Sequence, residues 1–449
     1  MGIELGEGGY GQQTVVKMYV GTNAVSKGYL GTSLFYDASS SDSSSSGTSW
    51  TQSGQDIVGS DAGDHMGYSL MLSENGYRLV VSAYKEDVST GSDNGVVYVY
   101  NINSENTTWS QVGNSITNSV GNAQDYSGFA VDCDRLAGRV VIGTPYRDSN
   151  SKINNGLVRV FDLNSSNTSW VQSGTDFAGA NGGDLFGWSV SMSDTGSRMV
   201  IGAPTQDSEA MPSGNEAGRV VAYELSGSTW SVLGNVTDMR GEATDENFGW
   251  SCDMSADGAY IVAGGAETNG SGSGVARVYG YDSYNDEWTQ VGSDIDGDDT
   301  NDSFGASVAI NRDGTRIIIG GVYGGNNSSG YAKVYARSGS NFTQLGSTIY
   351  GSDNENFGRS VDINEDGDRI VISGMIADNS TGVARVYEWS GLQWSKMGAD
   401  FDGARSNSLL GSNVAFDADG TTLAIGSSQY DGVNNDTANI GRARVFRWG

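Results

Sequence analysis

Short apolar runs separated by Gly, Asn, Asp and Ser repeat along most of the chain, without sustained 3.6-residue periodicity. The clearest runs follow a glycine and place apolar residues at the third and fifth positions after it. After Gly187 these are Val190 and Met192, with a polar residue between them. Alternation of period two is typical of a strand with one buried face. The pattern therefore predicts an all-β chain of many short strands joined by turns.

Four landmarks recur in a fixed order along the chain. The first is an aromatic residue followed by Gln or a substitute and then Gly, and the second is the glycine that opens the apolar strand. The aromatic residues, spaced 59, 61, 60, 58, 54 and 52 residues apart, are Trp50, Trp109, Trp170, Trp230, Trp288, Phe342 and Trp394. The strand-opening glycines are Gly67, Gly128, Gly187, Gly249, Gly305, Gly358 and Gly411.

The third landmark is a tight turn before a second apolar strand, and the fourth is a glycine before a strand that ends in an aromatic residue. Asp-Gly and Asn-Gly pairs are strong signals for two-residue hairpins, which we expect at the third landmark. These pairs begin at Asn75, Asp257, Asp313, Asp366 and Asp419. The glycines of the fourth landmark are Gly95, Gly156, Gly218, Gly274, Gly330, Gly382 and Gly441.

Seven repeats with four predicted strands each indicate an all-β, seven-bladed antiparallel β-propeller over residues 50–449. One four-stranded blade buries little alone, whereas seven blades around an axis bury both faces of every sheet. The glycine-opened strand should lie nearest the axis. Because the chain ends after the fourth landmark of the last repeat, we expect the strand at Trp50 to complete the last blade.

Residues 1–49 form no blade and are predicted to be an extended N-terminal β-arm with a Ser-rich linker. Two apolar segments of this arm have no place in the seven blades. Strands of this kind need a partner strand, because an exposed strand edge promotes aggregation. They pair either with the outer edge of their own propeller or with a neighbouring subunit by β-augmentation. We expect head-to-tail assembly into a fibre. The candidate assembly residues are Val15, Val16, Met18, Val20, Leu34, Phe35 and Tyr36.

The net charge of −29 changes the range of partners rather than the fold. With 54 acidic and 25 basic residues, the surface repels nucleic acid and anionic membranes. The apolar runs are too short to span a bilayer. Neither nucleic acid nor a membrane span is therefore expected.

Few residues offer catalytic chemistry. His65 is the single histidine, which excludes a Ser-His-Asp triad elsewhere and a His-rich metal centre, and we expect it in a surface loop. Cys133 and Cys252 fall on the core register of two glycine-opened strands, which predicts free buried thiols. A carboxylate pair for glycoside hydrolysis remains open, although no pair is singled out. We expect a protein that is not an enzyme.

The segment from Phe186-Gly187 to Gly202-Ala203-Pro204 resembles the FG-GAP repeat of integrin α-chain propellers. The resemblance implies the propeller fold, an extracellular or cell-surface location and cell adhesion. It also implies Ca²⁺ sites in the hairpin after the glycine-opened strand. Here the match is weak, because Ile370 stands at the last ligand position, and plain turns are favoured over Ca²⁺. The weak Ca²⁺ candidates are Asp362, Asn364 and Asp366, together with Asp296, Asp298 and Asp302 of an acidic loop.

Two further patterns concern loops. An acidic residue stands three positions before the strand glycine in six repeats, which indicates capping of turn N–H groups: Asp64, Asp125, Asp184, Glu246, Asp302 and Glu355. Eleven N-x-S/T sequons predict a glycoprotein if the chain is secreted. They begin at Asn106, Asn164, Asn167, Asn235, Asn269, Asn301, Asn326, Asn327, Asn341, Asn379 and Asn435.

These observations favour an extracellular, non-enzymatic structural glycoprotein that assembles with copies of itself into a fibre or surface lattice. The alternative is a monomeric adhesion or ligand-binding propeller that uses the loops of one face to bind glycans or other surface proteins. Unusual exposed aromatic residues on one face would favour this alternative. A propeller hydrolase or lyase is a third reading, which would need one blade with converging polar residues.

Overall fold

The computed structural model describes residues 49–449 apart from 89–90, 118–122, 209–210, 212–213, 235–238, 267–271, 377–379, 404 and 433–437. Before residue 49 it describes five short strands. The chain divides into two compact units. The larger spans Thr51–Arg447, and the smaller contains Met1–Trp50 and Trp448–Gly449.

Seven antiparallel sheets confirm the predicted propeller, and each contains an inner, a second, a third and an outer strand. The inner strands are Met66–Leu72, Ala130–Cys133, Val190–Met192, Phe248–Met254, Phe304–Ile310, Phe357–Ile363 and Leu410–Phe416 of blades 1 to 7. The second strands are Arg78–Ala83, Arg139–Thr144, Arg198–Ala203, Tyr260–Gly265, Arg316–Gly321, Arg369–Gly374 and Thr422–Ser427.

The third strands are Val96–Ile102, Leu157–Leu163, Arg219–Ser226, Val275–Asp282, Tyr331–Ser338, Val383–Trp389 and Arg442–Trp448. The outer strands are Trp109–Gln111, Trp170–Gln172, Thr229–Val232, Glu287–Gln290, Asn341–Gln344, Trp394–Lys396 and, in blade 7, Trp50–Gln52. In six sheets a two-residue strand also pairs with the third strand: Ile57–Val58, Ile116–Thr117, Phe177–Ala178, Ile295–Asp296, Ile349–Tyr350 and Phe401–Asp402. One 3-10 turn covers Asn326–Ser328.

Each inner strand begins with a sharp change of direction at the predicted glycine. All seven of these glycines have φ between 82° and 93°, a conformation that residues with a Cβ rarely adopt. In five blades the pairing register shifts there, as between Phe248 and Ser251, so that the glycine and the next residue bulge from the ladder. A bulge re-aims side chains, and here it carries the residue after the glycine to the end of the propeller axis.

Neighbouring blades touch through backbone atoms at these glycines. A Cβ on Gly202 of blade 3 would stand 2.1 Å from the carbonyl oxygen of Gly249 in blade 4. The same contact joins four further blade pairs. In blade 6 the second strand carries serine instead, and Ser373 Oγ donates across the interface to Gly411 O at 2.8 Å. Blade packing therefore requires glycine at the opening of the inner strand, and glycine or serine facing it on the second strand of the preceding blade.

Side chains of one blade also satisfy backbone N–H groups of the next. Ser307 Oγ accepts from Val361 N at 3.0 Å, and Asn413 Oδ1 accepts from Leu70 N at 3.0 Å. Buried N–H groups without a partner are costly. Neighbouring blades share no ladder of backbone hydrogen bonds, and polar side chains of the inner strands supply the missing acceptors.

The N-terminal strand closes the ring, as predicted. Trp50–Gln52 is the outer strand of blade 7, and Ser53 N donates to Val445 O at 2.8 Å. Ile57 pairs with Ala443. The seventh blade is therefore built from both ends of the propeller sequence.

The predicted two-residue hairpins are wrong. Ser73 N bonds to Arg78 O, so four residues lie between the paired positions. Only the glycine of each pair has positive φ, whereas a type I′ turn needs positive φ at both central residues. The Asx side chain explains the difference, because Asn75 Oδ1 accepts from Tyr77 N at 3.0 Å and stabilises a longer turn.

The core lies between the sheets and follows the predicted register. Val308 and Ile310 of blade 5 are buried, as are the corresponding residues of the other blades. Cys133 and Cys252 are buried and free, which confirms that prediction. Burial raises the pKa of both thiols.

The arm unit contains strands that pair with one another. Gly2–Ile3, Met18–Val20 and Asn23–Ala24 form one small antiparallel sheet. Lys27–Leu30 and Ser33–Asp37 form a second. Of the candidate assembly residues, Met18 and Val20 lie in the first sheet, and Val15 and Val16 lie outside the described residues. Leu34, Phe35 and Tyr36 lie in the second sheet.

The contact between glycines predicts a large cost for the smallest substitution. Gly202→Ala should lower the free energy of unfolding by about 3 kcal/mol, because its Cβ meets a backbone carbonyl that cannot move alone. Gly138→Ala is the control, since the nearest atoms would stand 3.8 Å away in a turn. Chemical denaturation monitored by circular dichroism measures both. Equal, small effects would show that the blade contact is not a packing constraint.

Candidate ligand-binding site

The seven inner strands enclose a cavity along the propeller axis. Its upper part, at the strand-opening glycines, has a volume of about 240 Å³, and its lower part about 130 Å³. The two parts meet at Asp132, Asp253 and Asp362, which line both. The upper and lower ends differ in their side chains.

Charged side chains cover the lower end. Arg312 of blade 5 forms an ion pair with Glu365 of blade 6 and lies 2.9 Å from Asp194 of blade 3 and 3.7 Å from Glu74 of blade 1. Arg135 of blade 2 also pairs with Glu74. Because one guanidinium reaches carboxylates of three blades, it lies across this end of the axis.

Aromatic residues line one side of the upper end. They occupy the position after the strand glycine in blades 1 to 4 and are Tyr68, Phe129, Trp188 and Trp250, called here the aromatic arc. Neighbouring rings are in contact, with centroid distances of 5.1, 4.6 and 4.7 Å. All four side chains are half-buried. The arc therefore presents a continuous aromatic surface at the open mouth.

A second row of aromatic rings supports the arc from the adjacent loops. Tyr84 packs on Tyr68 at 4.0 Å, and Tyr146 packs on Phe129 at 6.0 Å. The ammonium of Lys85 lies 5.5 Å from the Tyr84 ring centroid. These contacts hold the arc in place, since aromatic pairs add to the stabilisation from burial.

His65 belongs to this cluster, and its predicted surface position is wrong. It lies in the expected loop, but the side chain is 8% exposed and packs edge-on against Tyr84 at 5.5 Å. Burial and the charge of Lys85 lower the pKa of His65 to about 4. A buried, neutral imidazole in an aromatic cluster has a packing role.

The other side of the upper end carries small residues and one cation. At the position after the strand glycine, blades 5, 6 and 7 have Ala306, Arg359 and Ser412. Arg359 is half-buried, and its Nε donates to Met375 Sδ at 3.2 Å. The mouth is thus aromatic on one side and open on the other.

Three carboxylates join blades in the middle of the cavity. Asp132, Asp253 and Asp362 accept the backbone N–H of Met192, Ile310 and Phe416 in the next blade, at 2.7, 2.8 and 2.6 Å. Burial is the main cause that raises their pKa values, to about 8, 6 and 7. One oxygen of each accepts from the next blade, and the other accepts from the N–H of the following residue in its own strand.

The structure does not bring the weak Ca²⁺ candidates together. Asp362 faces the axis, Asn364 bonds within its turn to Asp368 and Arg369, and Asp366 is exposed.

The second candidate set is equally dispersed. Asp296 is exposed, Asp298 pairs with Lys333 at 2.6 Å, and Asp302 accepts from the Tyr331 hydroxyl. Among the described residues, no group of three or more His, Cys, Asp or Glu side chains is arranged to hold a metal ion.

The acidic residue before each strand glycine caps a turn, as predicted, wherever the turn is described. Asp64 accepts from the backbone N–H of Ser60 and Asp61, and Glu246 accepts from Glu242 and Ala243. The same role is filled by Asp184, Asp302 and Glu355. Asp125 forms an ion pair with Arg147, and residues 118–122 before it lie outside the described residues. These carboxylates are structural.

The sequons lie mainly in loops and hairpins. Asn167, Asn301, Asn326, Asn327 and Asn341 are exposed, whereas Asn106 and Asn164 are half-buried. The side chain of Asn164 bonds to Thr168 and Ser169 within its hairpin. Asn235, Asn269, Asn379 and Asn435 lie outside the described residues.

The aromatic arc was not singled out from the sequence, although its signal is present there. The position directly after the strand glycine reads Tyr, Phe, Trp, Trp, Ala, Arg and Ser from blade 1 to blade 7. Four consecutive aromatic residues at one repeat position depart from the pattern of a purely structural ring. The meaning of that departure depends on the bulge, which directs this position to the mouth.

Comparison with known families agrees with this architecture. A model of the FG-GAP repeat matches residues 178–221, which contain the inner and second strands of blade 3. Together with the seven blades, this match confirms the resemblance to an integrin-like FG-GAP propeller. A search of curated proteins finds no significant match. In the described part of the chain, no helix has the length and apolarity needed to cross a membrane.

The raised pKa of Asp362 predicts that the free energy of unfolding depends on pH. Because this pKa of about 7 exceeds the ordinary 3.8, the associated stability is present at low pH and is lost as the pH rises through 7. Between about pH 4 and 8, the wild type should lose about 1–4 kcal/mol of unfolding free energy relative to Asp362→Asn.

Denaturant titrations at several pH values measure this difference. The loss of one acceptor oxygen in Asp362→Asn adds an offset that does not vary with pH. Asp366→Asn, at an exposed turn position, is the matched control. Parallel pH curves for the wild type and Asp362→Asn would contradict the expected linkage.

Proposed function

We propose that this chain is a non-enzymatic extracellular propeller for adhesion or ligand binding, and that the upper mouth is its binding surface. The observation that carries the proposal is the aromatic arc at the open end of a cavity whose other end is covered by Arg312 and its carboxylates. FG-GAP repeats typically occur in extracellular proteins, which supports this location. The exposed sequons are consistent with glycosylation there.

The shape of the mouth supports binding rather than packing alone. Ligand sites are concave and combine aromatic walls with a few polar groups. The arc provides the aromatic wall, and Arg359 and Ser412 provide polar groups on the facing side. Partly exposed Trp and Tyr side chains are also the residues most enriched in binding hot spots. Glycans or other surface proteins are the expected partners.

The chemistry of the cavity supports a role without catalysis. The three axial carboxylates each hold a backbone N–H of the next blade, which leaves them poorly placed to transfer protons to a substrate. His65 is buried in the aromatic cluster with a lowered pKa. A binding surface needs none of these groups to react.

Self-assembly through the N-terminal arm is the second candidate. It is favoured by the arm strands, which belong to a separate compact unit and to no blade. The Ser33–Asp37 strand pairs with Lys27–Leu30 in a two-stranded sheet. A strand of a subunit beside it could extend such a sheet by β-augmentation. Assembly would then present many copies of the upper mouth on one fibre.

Arrays of glycans and peptides test the binding proposal with the purified full chain. Trp188→Ala and Trp250→Ala should each weaken binding of array ligands by about tenfold or more, because each removes an aromatic contact at the mouth. Tyr284→Ala is the matched control, since Tyr284 is 93% exposed in the outer hairpin of blade 4. Circular dichroism verifies that the variants fold. Ligands that bind both Trp variants as tightly as the wild type would refute the proposal.

Deletion of residues 1–37 tests the assembly candidate. The full chain should form species whose mass grows with concentration, whereas the shortened chain should stay monomeric with an intact β spectrum. Sedimentation and electron microscopy provide the measurements. Filaments that persist unchanged after the deletion would exclude assembly through the arm.

A further inference from the structure

The upper mouth contains one cation in a ring that is otherwise aromatic or small. Arg359 stands between Ala306 and Ser412, the residues at the same position in the flanking blades. Beyond these small residues, the arc begins with Trp250 on one side and Tyr68 on the other. Arg359 therefore stands between two small side chains in the cavity that the arc also lines, and its charge acts on Tyr68 of the arc.

In the described part of the chain, Arg359 has no carboxylate partner. Its Nε donates to the Met375 thioether, and no described carboxylate forms an ion pair with it. In the same blade, Arg385 is paired with both Glu355 and Asp400. Among the described residues of this acidic chain, Arg359 at the mouth is thus available for an external anion. Guanidinium groups bind carboxylates strongly and in a bidentate manner.

Cations already present at the aromatic surface argue against a cationic ligand. The Lys85 ammonium lies 5.5 and 5.7 Å from the ring centroids of Tyr84 and Tyr126. Burial raises the pKa of Tyr68 to about 12, and the charge of Arg359 opposes this shift. A cationic ligand over these rings would meet two like charges, those of Lys85 and Arg359.

The carboxylates deeper in the cavity do not occupy Arg359. Asp132, Asp253 and Asp362 lie three residues further along their inner strands than the position of Arg359 and the arc. Each is bound to the next blade, and burial raises the pKa of all three. Their negative charge near neutral pH is thereby reduced, which lessens its repulsion of an anion above them.

We infer that the upper mouth binds an acidic saccharide, with its sugar rings against Trp188 and Trp250 and its carboxylate on Arg359. The inference rests on the ligand-binding function proposed above. Pyranose rings offer an apolar C–H face that packs on aromatic rings and leaves their hydroxyl groups in water. The net charge of −29 repels extended polyanions, so binding is confined to the sugar units within the mouth.

Calorimetric titration of the full chain tests this assignment. The probes are tetramers of galacturonate, glucuronate, mannuronate and guluronate, each compared with its neutral methyl ester. The wild type should bind at least one acid about tenfold more tightly than its ester, and the preference should weaken as salt screens the ion pair. Arg359→Gln should abolish the preference, and Arg359→Lys should retain part of it.

Three results would overturn the inference: equal affinities for acid and ester, a preference that survives in Arg359→Gln, or no binding of any probe. These results leave the proposed function intact if Trp188→Ala still abolishes binding of other array ligands. The proposed function fails separately if Trp188→Ala and Trp250→Ala leave all binding unchanged. The two failures are therefore distinguishable in the same set of variants.

Discussion

Contact between the backbones of adjacent blades is the constraint on which the propeller depends. The second strand of one blade approaches the first glycine of the next so closely that a single methyl group would collide with a carbonyl oxygen, as at Gly202 and Gly249. This approach needs glycine on both sides, or a serine that exchanges the contact for a hydrogen bond. It also forces the inner strand to start with positive φ, and the resulting bulge turns the following residue toward the axis.

Neighbouring inner strands share no regular ladder of backbone hydrogen bonds, so the N–H groups along their edges need other acceptors. Serine, asparagine and aspartate side chains take the place of the missing carbonyls, as Asp362 does for Phe416 N. This solution places polar and ionisable groups in the middle of the axis and gives them a structural task. The lower end is covered by the ion pairs of Arg312. At the upper end, among the described residues, the aromatic arc and Arg359 have an arrangement that ring packing does not require.

The sequence predicts the ring well because the same strand and turn requirements recur in seven repeats. Strand number, the inner position of the glycine strand, ring closure at Trp50, the buried thiols and the capping carboxylates all follow from one repeat register. The turns were wrong because the Asx side chain at Asn75 competes with the hairpin geometry expected from Asn-Gly. His65 was misplaced because a loop position gave no sign that Tyr84 would cover it. The aromatic arc was missed because its four residues are far apart in sequence, and only the closed ring makes them neighbours.

Closure of the ring by Trp50–Gln52 also has a mechanical consequence. The outer strand of blade 7, Trp50–Gln52, precedes the other strands of the ring in sequence, whereas Arg442–Trp448 of the same sheet follows them. A tensile load that separates these two segments acts on this sheet. It is resisted there by short pairings such as Ile57 with Ala443, whereas every other blade is continuous in sequence. The resistance of the ring to opening by force is therefore set by one seam, the pairing within blade 7 of segments that are far apart in sequence.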